Sequence, residues 1–256
     1  MHLILTGATG LVGSGVLDAM IKMKDITKIS IISRRPVAMA DDAKDPRINV
    51  IIHKDFTNYP PSLLDQVKDA TGCVWALGIS QTEVSKEEYI KITKDYALAA
   101  AQAFQSLPST PDLKPQPFNF IYVSGAGTTH NPGLFTSLFA RVKGETELLL
   151  ASMRASNPSF HALSVRPAGV DWTAHAAIKP YLSMSWLKTG VFTALLAPIR
   201  VLAPGQISPT EPLGKFLAEC AAGKWEGKMT GPGFDQVGES GFTVVHNLGF
   251  RRLAGI

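Results

Sequence analysis

The chain opens His2-Leu3-Ile4-Leu5-Thr6-Gly7-Ala8-Thr9-Gly10-Leu11-Val12-Gly13, and the reading of this stretch decides the fold. The apolar run from His2 to Thr6 predicts a buried strand, and the apolar-periodic segment that follows, to about Met23, predicts a helix. Glycines at 7, 10 and 13 form a GxxGxxG turn between them. Strand, glycine turn and helix in that order make a dinucleotide fingerprint. Gly7 allows the sharp turn off the strand, Gly10 lets backbone approach a pyrophosphate, and Gly13 lets the helix lie close on the strand. The helix start offers free N–H groups and a positive dipole end to phosphates, with Thr9, Leu11 and Val12 in the same turn. The bland alternative is a structural glycine turn.

Strand and helix patterns alternate through the rest of the chain, which predicts a doubly wound parallel α/β sheet. Lys28 to Ser33 reads as the second strand, ending in Arg34-Arg35-Pro36. In a dinucleotide fold an acidic residue at this point accepts from the ribose 2′-hydroxyl of NAD; Ser33 with Arg34 and Arg35 suits a 2′-phosphate, so NADP(H) is expected in preference to NAD(H). The alternative is a pair of solvated arginines. Ile48 to His53 is the third strand, followed by Asp55 and Phe56, read evenly as an adenine border or as a turn aspartate and a core ring. Pro61 to Ala70 predicts a short helix. Cys73 to Leu77 is a fully apolar fourth strand, and Ala76, Leu77 and Gly78 at its end are placed along the cofactor.

Ser85 with Glu88 forms a capping box at the start of a helix to about Gln105. Four prolines mark residues 107–117 as a surface loop. Phe118 to Ser124 is the fifth strand, leading into Gly125-Ala126-Gly127-Thr128-Thr129-His130, a loop at the strand edge where such sheets bind ligands. A helix is expected over Leu134–Ala155 and a sixth strand over Phe160–Arg166, ending in Pro167, Ala168, Gly169 and Val170 beside the cofactor. Residues 171–209 read as irregular and apolar-rich, a substrate lid within a small C-terminal lobe of one domain, 1–256. Thr210 as N-cap and Pro212 in the first turn start a helix to about Ala222. Phe242 to His246 reads as a last strand.

The 256 residues carry a net charge of +4 spread without a basic run, which gives no nucleic-acid signature. Cys73 and Cys220 read as buried free thiols of a reducing compartment, and no Cys/His spacing suggests a metal. A strand starting at residue 2 leaves no room for a targeting peptide, so a cytoplasmic location is expected. Leu187 to Ala203 is apolar but broken by Lys188, Pro198 and Arg200, too short to span a membrane. It reads as a substrate-site helix or a homodimer contact, with weak membrane-surface association left open.

Together these pieces resemble the short-chain dehydrogenase/reductase superfamily, most nearly its atypical Tat-interacting-protein-like and NAD-dependent epimerase-like branch. The resemblance rests on Thr6–Gly13, Ser33-Arg34-Arg35, Leu77-Gly78, Lys94-Asp95-Tyr96, Val142-Lys143-Gly144-Glu145, Val165-Arg166-Pro167 and Val245-His246-Asn247-Leu248-Gly249. It implies NADP(H) along the carboxyl edge of the sheet, and chemistry by a Ser at the end of the fifth strand with a Tyr-x-x-x-Lys on the next helix. Lys143 keeps the lysine, but Phe139 stands where the tyrosine belongs. On the simplest register Gly125 takes the serine's place; a slip of one puts Ser124 there. His130 is then the substitute acid of suitable pKa, against an exposed loop histidine. Tyr122 reads first as a core residue, and Asp171 and His175 are weaker candidates. The expected activity is NADP(H)-dependent redox on a small hydrophobic molecule; the alternatives are a non-redox isomerase, epimerase or cyclase, and a non-catalytic NADPH-binding module.

Overall fold

The computed structural model describes residues 1–107, 117–182 and 198–256. Strand β1 (His2–Thr6) is buried along its whole length, as an apolar run in the middle of a parallel sheet must be. Its side chains alternate between two cores: Leu3 and Leu5 enter one, Ile4 the other. The chain then runs α1 (Leu11–Lys22), β2 (Lys28–Ser33), α2 (Ala38–Ala43), β3 (Ile48–Ile52), α3 (Pro61–Val67) and β4 (Gly72–Trp75). Next come α4 (Lys86–Ile90), a π-helical turn over Lys91–Asp95, α5 (Tyr96–Phe104), β5 (Phe118–Val123), α6 (Leu138–Ser156) and β6 (Phe160–Arg166). The last elements are β7 (Gly169–Asp171), β8 (Ile207–Pro209), α7 (Thr210–Ala221), β9 (Phe234–Gln236), β10 (Thr243–His246) and α8 (Asn247–Ala254).

The main sheet has the order β3-β2-β1-β4-β5-β6-β10-β9, parallel except for the antiparallel edge strand β9. The order reverses between β1 and β4, which opens a crevice at their carboxyl ends. Val16, Leu17 and Met20 of α1, with Leu213, Phe216 and Leu217 of α7, cover one face. Leu63 of α3, Phe104 of α5 and Leu150 of α6 cover the other. The sheet is therefore doubly wound. Helices α1 and α7 cross closely because Gly15 and Gly214 meet: a Cβ on Gly214 would stand 2.2 Å from the Gly15 carbonyl oxygen.

Several boundaries differ from the sequence reading, each for a local reason. β4 ends at Trp75, so Ala76 and Leu77 leave the ladder and turn over Gly7. Helix α6 starts at Leu138, where Ser137 Oγ accepts from Ala140 N at 3.2 Å; the apolar Leu134 and Phe135 before it are fully exposed. Thr210 does not cap α7: the N-cap is Pro209, and the Thr210 hydroxyl lies 3.0 Å from His175 Nδ1. The stretch 171–209, read as irregular, contains β8, which pairs in parallel with β7 as a separate two-stranded sheet, and a 3₁₀ helix over Ala176–Tyr181. The proline-rich loop lies largely, and the apolar segment 187–203 mostly, outside the described residues. Among the described residues no helix is long and apolar enough to cross a membrane. Both cysteines are buried and free.

Candidate cofactor and active site

The glycine turn is built as a cradle. Gly7 has φ +72°, and a Cβ there would stand 2.3 Å from the Ala76 carbonyl oxygen. Gly13 is as constrained: its Cβ would stand 2.1 Å from Gly7 O. Gly10 differs, since a Cβ would meet only Gly7 O at 3.2 Å and otherwise open space. Gly10 is also the N-cap of α1, with no side-chain cap and no acidic residue in the first turn, so the N–H end of the helix is left to an anion. A cavity of about 380 Å³ lies over this turn, lined by Gly7, Thr9, Ile32, Ser33, Arg34, Arg35 and Leu77. Arg34 and Arg35 are exposed there, and Ser33 is buried, its hydroxyl accepting from Arg35 N at 3.3 Å.

Two expected cofactor residues fall elsewhere. Phe56 is fully buried, packed edge-on against Trp75, and presents no surface to a ligand. Asp55 closes a turn, accepting from Thr57 N at 3.1 Å and Thr57 Oγ1 at 2.5 Å. Pro167 to Val170 is fixed from behind: Ala126 N donates to Pro167 O, and Ala168 N donates to Ser208 Oγ at 2.9 Å.

At the carboxyl end of β5, Lys143 Nζ donates to Val123 O at 2.9 Å and Ser124 O at 3.3 Å. The ammonium lies 5.7 Å from the centroid of the Phe139 ring and 5.2 Å from that of Tyr122. Burial pulls its pKa down to about 8, opposed in part by Glu147. Ser124 Oγ pairs with Thr128 Oγ1 at 3.2 Å. Phe139 fills the space over Gly125, and its backbone N–H donates to Gln81 Oε1 at 2.8 Å. Tyr122 is buried with its hydroxyl donating to Thr93 O, a core tyrosine.

His130 has a partner that sequence reasoning missed. Its Nε2 lies 2.7 Å from Oε2 of Glu147, a fully buried carboxylate one helical turn beyond Lys143. Glu147 also receives Ser164 Oγ at 2.6 Å, Arg166 Nε at 3.0 Å and Arg166 Nη2. Burial alone would raise the Glu147 pKa, but the hydrogen bonds from His130 and Arg166 outweigh it and hold it at about 2. Nε2 also lies 3.1 Å from Arg166 Nη2, so both contacts of the ring fall on Nε2, and among the described residues Nδ1 is left for another partner. The loop reaches this place because Gly144 has no side chain: a Cβ there would stand 1.9 Å from Thr129 O. The signal in the sequence was the spacing Lys143 to Glu147, which puts both on one helix face.

Asp171 binds Arg200 through 2.6 and 2.8 Å bonds, and His175 is buried between Asp18 and Thr210, so both are held in structural contacts. Asp18, His175 and Glu211 could bring three ligand atoms within 4.8 Å of one another. Lys22 already bridges the two acids, at 2.6 Å to Asp18 and 3.3 Å to Glu211, and its ammonium supplies the positive charge there.

This fold is that of the short-chain dehydrogenases/reductases and the NAD-dependent epimerases. A short-chain type dehydrogenase/reductase from Mycobacterium ulcerans superposes with a TM-score of 0.63 at 16% identity, over 96% of this chain and 87% of that one. The UDP-N-acetylglucosamine 4-epimerase of Methanobrevibacter ruminantium M1 gives 0.60 at 17%, over 86% and 73%. The Bordetella bronchiseptica enzyme WbmF, solved with NADH, gives 0.60 at 12%, over 86% and 68%. The chain belongs to the family of two fungal biosynthesis-cluster proteins. It is 44% identical over 161 residues to Botcinic acid biosynthesis cluster B protein 16 of Botryotinia fuckeliana, covering 62% of this chain and 99% of that protein. It is 35% identical over 198 residues to Leucinostatins biosynthesis cluster protein T of Purpureocillium lilacinum, covering 71% and 70%. No family model matches the chain.

Proposed function

We propose that this chain is an NADP(H)-dependent, atypical short-chain oxidoreductase acting on a small hydrophobic molecule in the cytoplasm, in the service of a biosynthetic pathway like those of its relatives. The observation that carries the reading is the cavity lined by Gly7 and Thr9 of the glycine turn and by the Arg34–Arg35 pair, with the uncapped start of α1 next in the chain. The residues fit the cofactor: side chains at 7 and 13 would collide with the backbone that shapes the turn, Gly10 leaves open space beside it, and the charged residues among those described that line the cavity are the two arginines. When bound, the nicotinamide supplies or accepts a hydride. Arg34 and Arg35 hold the 2′-phosphate, the N–H groups of Leu11, Val12 and Gly13 hold the pyrophosphate, and Lys143 holds the nicotinamide ribose. His130, fixed by Glu147, moves the substrate proton through Nδ1.

A second reading is favoured by one observation. Phe139 stands where the resemblance places the tyrosine and, on the simplest register, Gly125 where it places the serine, with Ser124 one place away. Loss of the tyrosine hydroxyl weakens carbonyl reduction and so favours a non-redox isomerase, epimerase or cyclase that works through other groups.

Calorimetry with NADPH and NADH tests the cofactor. Arg34→Ala is expected to weaken NADPH roughly ten- to a hundred-fold and leave NADH unchanged. Gly10→Val meets one contact and open space, so it stays folded by circular dichroism and loses both cofactors. Equal affinities, untouched by either substitution, would remove the reading. Phe139→Tyr then separates the two activities: a gain of about 10²–10⁴ in NADPH-dependent reduction of activated dicarbonyls marks a redox site short of its acid. Two inert proteins that bind NADPH well mark the non-redox reading.

A further inference from the structure

A second cavity, of about 220 Å³, lies at the opposite edge of the sheet from the glycine turn. Asn119, His161 and Thr243, at the amino ends of β5, β6 and β10, form its floor. One wall is apolar, made by Leu163, Trp225 and Met229. Arg154, from the last turn of α6, also lines the cavity.

The guanidinium of Arg154 is set up as a half-filled site. It is half-buried, and Nη1 donates to Ala162 O on β6 at 2.9 Å, across the cavity edge rather than back to the carbonyls of its own helix end. Nε and Nη2 lie over Gly241, where even a Cβ would come within 3.2 and 3.4 Å, so the glycine leaves them room. Among the described residues, one of the five N–H donors that an arginine carries is used. Among the described residues no carboxylate pairs with it. Glu226, the acid at the cavity rim, is bonded instead to His161 Nδ1 at 2.9 Å, with its side chain more than half exposed. Burial lowers the Arg154 pKa, and Glu226 opposes this only in part. Glu226 offers charge but no hydrogen bond, so a ligand carboxylate in contact with the unpaired N–H groups would add what Glu226 does not.

We propose that this cavity is a second ligand site and takes a small organic monocarboxylic acid. The carboxylate lies along the Nε and Nη2 edge of Arg154, and the hydrocarbon body packs on Leu163, Trp225 and Met229. The apolar wall sets the class apart from inorganic anions, and Glu226 at the rim repels a second negative charge. The site stands on residues remote from the glycine turn and is independent of the cofactor reading.

Titration calorimetry on the full chain at pH 7 tests it, with hexanoate, hexan-1-ol and inorganic phosphate as probes. Hexanoate is expected to bind saturably, and hexan-1-ol and phosphate are not. Arg154→Met should weaken hexanoate at least about ten-fold. Met229→Trp, which fills the cavity without touching a charge, should do the same; it keeps the test decisive if the Arg154 variant does not fold. Gly10→Val should leave hexanoate binding unchanged. The proposal is overturned by any of these results: no saturable binding up to about 10 mM, hexan-1-ol or phosphate binding as well as hexanoate, full affinity in the variants, or loss in Gly10→Val, which would move the acid to the glycine-turn groove.

Discussion

Phe139 and Gly125 compete for the same space. A Cβ on residue 125 would stand 2.7 Å from Cζ of Phe139, so the ring lies where a serine side chain would go. Both residues could be read in the chain; that they touch could not, because the loop between them is folded back onto α6 at Gly144. The contact makes a quantitative expectation. Gly125→Ser should cost about 1–3 kcal/mol by overpacking, and most of that should disappear in a Phe139→Ala background. Urea unfolding of the four proteins in the cycle measures the coupling. Costs that simply add would mean the ring moves aside freely and the two positions are independent.

Helix α6 collects most of the candidate chemistry: Lys143 reaches the end of β5, Glu147 and Arg154 reach β6, and Gly144 lets the loop at Thr129 come close. Its helical period was legible, and the spacing of Lys143 and Glu147 with it. The partners of Glu147 were not, because Ser164 and Arg166 come from β6 and His130 from a loop without period. Glu147 sits at about 2, below its ordinary 4.5, so the folded protein favours the carboxylate. A fall from 4.5 to about 2 corresponds to about 3 kcal/mol, fully present above pH 4.5 and lost as pH falls toward 2. Glu147→Gln should remove that part of the acid sensitivity. It should also lower stability at pH 7 by about 3–5 kcal/mol, since Arg166 is left buried without its counter-charge. Thermal midpoints from pH 7 to pH 3 check both. A variant whose midpoint falls with pH as steeply as the parent's would show that another carboxylate carries the acid limb.

On the scale of the whole molecule, the glycine turn and the alternation of strand and helix were enough to place seven strands of the doubly wound sheet, β1 to β6 and β10. The pair β7–β8 and the edge strand β9 were not legible, because three residues are too few to show a period of two. Those short strands matter, since they tie the last helix to the carboxyl edge of the sheet. Asn247, at the start of α8, donates from Nδ2 to Gly205 O at 2.6 Å and Ile207 O at 3.3 Å, and accepts from Ser208 Oγ at 2.5 Å. Ser208 Oγ in turn accepts from Ala168 N at 2.9 Å, within the stretch proposed to border the cofactor. Asn247 is buried, so Asn247→Ala leaves the buried Ser208 hydroxyl without its acceptor and Gly205 O without its donor, while Ile207 O keeps Arg251 Nη1 at 3.0 Å. The expected cost is about 1–3 kcal/mol, with faster hydrogen exchange at the amides of 168–170 and weaker NADPH binding. Leu248→Ala, at a neighbour 55% exposed, should change neither. Exchange followed by mass spectrometry separates the outcomes: lost stability with unchanged protection at 168–170 would mean that Asn247 only anchors α8, and that β8 holds the cofactor edge without it.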